Sequence, residues 1–127
     1  VPGGPPDSGE LLEDINHVRK ERGLEPLSPD GQLLQLAQEW AEHLARTGRM
    51  NHRDDLTTLQ KQHGYRYLNE NIYRSSGPST GERILSAWMK SPGHRKNLLK
   101  ATATHGAVGI GVSSTGSTHV VFHAAEK

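Results

Sequence analysis

Between Ser28 and Gly48 the chain carries its clearest helical periodicity, Leu33, Leu36, Ala37, Trp40, Ala41 and Leu44, while its last segment alternates instead. Steps of three and four residues place those side chains on one face of a helix. Ala107 to Val112 and Thr118 to Ala124 alternate well enough to be two strands joined as a hairpin across Ser113–Ser117. A helical stripe first and paired strands last predict an α+β fold around an antiparallel sheet.

Local signals fill in the rest. Ser28 is placed to cap the long helix, with Pro29 at its first position, where the missing N–H costs nothing, and Gly48 ends it. An earlier helix is expected over Ser8 to Arg22, with Leu11, Ile15 and Val18 on one face, Asp7 or Ser8 as cap and Gly23 closing it. A short helix is expected over Asp54 to His63, and a strand over the aromatic and β-branched run Tyr65 to Tyr73. Ser79-x-x-Glu82 reads as a capping box for a helix through Ile84, Leu85 and Trp88. Ser91-Pro92 repeats the Ser28-Pro29 device and opens another short helix.

Composition bounds the function classes. A chain of 127 residues with 32% hydrophobic side chains is expected to be one domain with a small core. Its formal charge of +1 makes no global electrostatic case for nucleic acid, and the one dense basic run is His94-Arg95-Lys96. No apolar stretch approaches the roughly 18–20 residues of a membrane span. With no cysteine, disulfides, thiolate zinc sites and cysteine nucleophiles are excluded. The absence of an Asn-x-Ser/Thr acceptor fits a prokaryotic source. Residues 1–8, beginning Val-Pro-Gly-Gly-Pro-Pro-Asp without methionine, are expected to be a tail or linker left by trimming a signal or anchor from something longer. Residues 9–127 would then form the single domain.

Three polar residues stand out as a candidate site: His52, just beyond Gly48; Glu70, inside the expected strand; and His94, in the first turn of the last helix. Two imidazoles and a carboxylate brought together can hold a cation or move a proton. A helix N-terminus beside His94 favours its neutral, metal-ligating form. A carboxylate within a strand needs partners to be buried, and Asn69 and Asn71 beside it could accept bonds from nearby backbone N–H groups. His17, His43 and His63 are expected to be solvated. His119 and His123 alternate on the last strand and could flank a groove. Glycine-rich phosphate loops, a His-Glu-x-x-His pair and a Gly-x-Ser-x-Gly elbow are all missing, so residue types alone assign no enzyme class.

The order of motifs resembles a known family. Leu12-x-x-Ile15-Asn16-x-x-Arg19-x-x-x-Gly23-Leu24-x-Pro26-Leu27 is followed by Leu33-x-x-x-Ala37-Gln38-x-x-Ala41 and His52. Asn69-Glu70-Asn71-Ile72, Trp88-Met89-x-Ser91-Pro92-Gly93-His94-Arg95-x-Asn97-Leu98 and Val108-Gly109-Ile110-Gly111-Val112 complete the series. Together, over about residues 10–124, these resemble the CAP superfamily (cysteine-rich secretory proteins, antigen 5 and pathogenesis-related proteins; the SCP domain) in its cysteine-free bacterial form.

The resemblance implies a three-layer α-β-α sandwich with an open cleft and an extracellular, periplasmic or cell-surface location. It maps His52 and His94 onto the family's two cleft histidines and Glu70 onto its first acid. The second acid falls at Ser91, so the tetrad is incomplete. A serine there has a physical rationale as helix cap. Glu82 is a substitute acid if its capping role fails, and Asn69 stands where the family usually has glycine.

The implied function is a binding or interaction module, monomeric, with an unidentified small-molecule, lipid or protein ligand. Its cleft would take zinc or another divalent cation through His52 and His94, with none required for folding. The alternatives are a metal-assisted hydrolase of peptide or envelope material, with Glu70 as candidate catalytic base, and a purely structural interaction domain.

Overall fold

The structure, a computed structural model, describes residues 6–127. Five helices and four strands follow in the order α1 (Ser8–Glu21), β1 (Ser28–Pro29), α2 (Gly31–Thr47), α3 (Leu56–Gln62), β2 (Tyr67–Ser75), α4 (Gly81–Lys90), α5 (Pro92–Leu98), β3 (His105–Val112) and β4 (Thr118–Glu126). The strands form one sheet in the order β1-β3-β4-β2. The β3–β4 hairpin and the β2–β4 pair are antiparallel as expected, whereas β1 joins β3 in parallel. Most of the expected Pro/Gly tail, residues 1–5, lies outside the described residues.

The two faces of the sheet are covered differently. On one, α2 lays Ala37, Ala41 and Leu44 against Ile72 and Val121, while Leu33 and Leu36 join Leu59, Leu68, Ala107 and Ala125. On the other, Leu11, Leu12 and Ile15 of α1 meet Ile84 and Trp88 of α4, Leu98 of α5, and Val108, Val120 and Phe122 of the hairpin. The result is the α-β-α sandwich. The α2 stripe is seated unusually deep: a Cβ added at Gly109 would lie 2.3 Å from the carbonyl carbon and oxygen of Ala37, and one at Gly111 would lie 2.6 Å from the oxygen of Ala41. Two strand glycines therefore let a helix backbone rest directly on the sheet.

Several local expectations change under tertiary contact. Ser28-Pro29 does not start α2; Ser28 N–H donates to Thr104 O at 2.9 Å and the dipeptide becomes β1. The cap is Asp30, whose Oδ1 accepts from Leu33 N–H at 3.0 Å. The capping box at Ser79 is displaced by one residue: Thr80 Oγ1 accepts from Arg83 N–H at 3.2 Å, while buried Ser79 hydrogen-bonds the Tyr73 hydroxyl at 2.9 Å. Glu82 is left exposed in the first turn of α4, with neither the capping role nor a place in the site.

The motif polar residues outside the site are structural. Arg19, not Val18, completes the buried face of α1. Its guanidinium donates to the carbonyls of Glu25, Leu98, Lys100 and Ala103, tying α1 to the end of α5 and the segment after it with no carboxylate partner among the described residues. Burial holds its pKa below the ordinary guanidinium value. Asn16 exchanges two bonds with Leu27, at 2.7 and 2.9 Å, and so sets the chain entering β1.

Side chains bond backbone groups on the stretch of β3 beyond its two-residue pairing with β1 and on the outer edge of β2. Gln38 accepts from Ile110 N–H at 2.9 Å and donates to Ile110 O at 2.8 Å, a side-chain substitute for a neighbouring strand beside β3. On the β2 edge, Trp88 Nε1 donates to Ile72 O at 3.1 Å and Asn97 Nδ2 to Glu70 O at 3.2 Å. An uncovered edge would be a template for pairing with another chain.

Candidate functional site

Glu70 is the centre of the site. It lies mid-strand in β2 with its side chain only 1% exposed. Burial of a carboxylate at that depth demands hydrogen bonds, and Glu70 has three. Oε1 accepts from His52 Nδ1 at 2.9 Å and from Arg53 backbone N–H at 3.0 Å; Oε2 accepts from His123 Nε2 at 2.8 Å.

His52 reaches this carboxylate from the segment between α2 and α3, and its side chain remains 56% exposed. Two anchors hold that segment. Trp40 Nε1 donates to Asn51 O at 3.0 Å, and the Arg53 side chain bonds Asp55, Glu39 and Leu36 O while lying 5.4 Å over the Trp40 ring. Burial alone would depress the Arg53 pKa, but hydrogen bonds and charge from Asp55 and Glu39 outweigh it and hold it above the ordinary value. The same contact holds the Asp55 carboxyl below its usual range.

His94 arrives from the other side, on α5. The register of that helix against β2 is set by amides: Asn71 Nδ2 donates to His94 O at 3.0 Å, Asn69 Nδ2 to Asn97 O at 3.3 Å, and Asn97 Nδ2 to Asn71 Oδ1 at 3.0 Å. Asn69 and Asn71 thus donate to helix carbonyls rather than accept from nearby backbone N–H groups. Ser91 occupies the N-cap position of α5, but its hydroxyl makes no capping bond and instead meets His94 Nδ1 at 2.9 Å. The expected cap is replaced by a contact with the site histidine itself. The pKa of His94 is lowered, first by burial and then by the charge of nearby His52.

The structure therefore brings His52 to Glu70 and places Ser91 on His94. It also adds two residues: Arg53, through its backbone N–H, and His123. The sequence pattern sets His123 and His119 beside a groove, but both are buried, at 0% and 1% exposure. The cause is register. His123 is directly opposite Glu70 on β4, while His119 faces Arg74 from the same side of the sheet. Period-two alternation marks both as sharing a face; only strand pairing reveals that one of them meets a carboxylate. His119 has no hydrogen-bond partner on either ring nitrogen among the described residues. Of the other histidines, His17 is exposed, His63 is half-buried, and His43 stacks on Trp40 with ring centroids 4.6 Å apart.

Among the described residues no group of three or more His, Cys, Asp or Glu side chains converges to hold a metal ion. Glu70 is already engaged at both oxygens, which leaves the ring nitrogens of His52 and His94 that face away from Glu70 and Ser91 as the free donor atoms.

Residues 12–124 match the sequence model of the Cysteine-rich secretory protein family, CAP. The chain belongs to this family. The uncharacterized protein YkwD of Bacillus subtilis (strain 168) is 32% identical over 113 residues, spanning 84% of this chain and 42% of YkwD. The chain thus spans less than half the length of that relative. Solved structures confirm the CAP fold. An extracellular protein containing an SCP domain from Bacillus anthracis superposes with a TM-score of 0.76 at 23% identity, covering 94% of this chain and 40% of that one. An outer surface protein from Borrelia burgdorferi gives 0.81 at 21% identity over 98% of both chains. NaASP2, described with Zn2+, gives 0.71 at 15% identity over 91% of this chain and 77% of its own. No helix among the described residues is long and apolar enough to cross a membrane.

Proposed function

We propose that this CAP domain belongs to a secreted or envelope-associated bacterial protein and that its cleft binds zinc or another divalent cation through His52 and His94. The observation that carries the reading is the Glu70 contact with His52 Nδ1. A carboxylate accepting from Nδ1 fixes the tautomer of the ring and leaves Nε2, on the exposed side, as a lone-pair donor. Ser91 engages His94 at the corresponding nitrogen. The donor set fits an open site with two protein ligands and the remaining positions left for water or a partner's groups. Such a site is weak compared with closed four-ligand zinc centres. A bound cation would supply Lewis acidity and a fixed positive charge at the cleft.

The surface location is supported by relatives described as extracellular or outer-surface proteins. The three donors on Glu70 count against a hydrolase in which that carboxylate takes a proton from water. The amide network joining Asn69, Asn71 and Asn97 supports a second, structural reading, in which the polar cluster serves to bolt α5 to β2. Titration calorimetry with zinc separates the two. Binding in the micromolar range that is lost in a folded His52→Ala/His94→Ala double variant supports the cation site; identical binding by both proteins overturns it.

A further inference from the structure

We infer that His123 is a positioning residue: a buried imidazole that orients Glu70 and, through it, dictates which ring nitrogen of His52 is presented to the cleft. The inference rests on the cation-site reading above but concerns a residue that touches no ligand.

Cross-strand neighbours have their Cβ atoms about 5 Å apart, so the pairing of Glu70 with His123 makes their contact a product of register. On the other side of His123 in the sheet stands Ala107, a small neighbour beside the imidazole. His123 Nε2 donates to Glu70 Oε2, and its Nδ1 has no partner among the described residues. A proton on Nδ1 would be a buried donor without an acceptor, so the proton belongs on Nε2. Arg53 N–H and His123 then pull on different oxygens of one carboxylate and fix its plane, aiming Oε1 at His52 Nδ1. The three residues form a line from the buried sheet to the exposed imidazole: His123 Nε2–H to Glu70, Glu70 to His52 Nδ1–H, and His52 Nε2 outward. Without His123, Oε2 is a buried acceptor with no donor, and the carboxylate gains freedom to rotate away from His52.

The test uses the whole chain and two variants, His123→Leu, which removes the donor, and His123→Gln, whose terminal amide restores one at a similar reach. Nitrogen NMR of the zinc-free protein reads the imidazole tautomers, which a merely space-filling role for residue 123 would not move. The wild type is expected to hold His123 as the Nε2–H form and His52 as the Nδ1–H form. His123→Leu is expected to let His52 populate both tautomers and to weaken zinc binding about 10–100-fold, the range seen when partners that orient metal ligands are removed. His123→Gln should keep the His52 tautomer and stay within a few-fold of the wild-type affinity. A folded His123→Leu protein with His52 still entirely Nδ1–H overturns the inference, as does a wild type carrying the His123 proton on Nδ1. If His123→Leu does not fold, His123→Gln decides: loss of the His52 Nδ1–H form there refutes the relay. A wild type that binds no zinc defeats the cation reading alone, because the tautomers still report on His123.

Discussion

Substituting Gly109 by alanine tests the packing on which the site is built. The added methyl would stand 2.3 Å from both the carbonyl carbon and oxygen of Ala37 and 2.4 Å from Gln38 N. All three are backbone atoms of α2, so no rotamer change can relieve them, and helix and sheet must separate by about 1 Å to reach ordinary contact. That shift would loosen Leu33, Leu36, Ala41 and Leu44, all buried on the same helix.

Overpacking costs typically about 1–3 kcal/mol, and a clash with helix backbone on three atoms belongs at or above the upper end. A domain of this length has a total stability of roughly 6–19 kcal/mol, so about 3 kcal/mol is a large part of it. The melting temperature should fall by about 10–15 °C. Thermal unfolding followed by circular dichroism measures that shift and urea unfolding the free energy, with Gly106→Ala and Gly93→Ala as internal controls. At Gly106 the nearest atom, at 2.8 Å, is the Leu27 Cδ1 methyl, which can rotate, and its Cβ is next at 3.2 Å. Gly93 lies in α5 with nothing within 4 Å of the added carbon, so alanine there should gain about 0.5–1 kcal/mol. The expected order is Gly93→Ala above wild type, then Gly106→Ala, then Gly109→Ala. A Gly109→Ala midpoint indistinguishable from that of Gly106→Ala would refute the claim that α2 rests backbone-to-backbone on β3.

Two more perturbations follow from the polar groups. Gln38→Ala strips the partners from both Ile110 backbone groups; it should cost about 1–3 kcal/mol and speed hydrogen exchange at the Ile110 amide, and unchanged exchange there would argue against the edge-covering role. His94 and His119 both titrate below the ordinary histidine value, the first through burial and His52, the second through burial and Arg74. For a group with a depressed native pKa the unfolded chain binds the extra proton first. This stabilisation is therefore complete above about pH 6.5 and is lost as pH falls through the lower native values. His119→Leu, which removes two buried nitrogens that have no partner among the described residues, should raise stability at neutral pH and reduce the loss between pH 7 and 5. Equal pH dependence in the two proteins would show that His119 is not among the groups responsible.

The polar residues of the motifs divide into two kinds once their partners are known. Arg19, Asn16, Gln38, Asn97 and the Trp88 indole satisfy backbone groups at strand edges and helix ends. Glu70 and Ser91 instead hold the imidazoles of His52 and His94 in defined orientations. In a chain with a small apolar core, side chains that satisfy buried backbone groups carry much of the specification of the fold.

Sequence alone determined the α+β order, the α2 stripe and the hairpin, because periodicity and turn chemistry act over a few neighbouring residues; the candidacy of His52, Glu70 and His94 came from their side-chain chemistry and the resemblance of their motifs to the CAP family. Tertiary structure decided what those residues touch. Ser28-Pro29 became a strand because Thr104 offered a carbonyl, and Ser91 left its helix cap for His94. His123 joined the site from 53 residues away along the chain through a single pairing register. A one-residue slip of β4 against β2 would have turned His123 to the opposite face and left Glu70 buried without it.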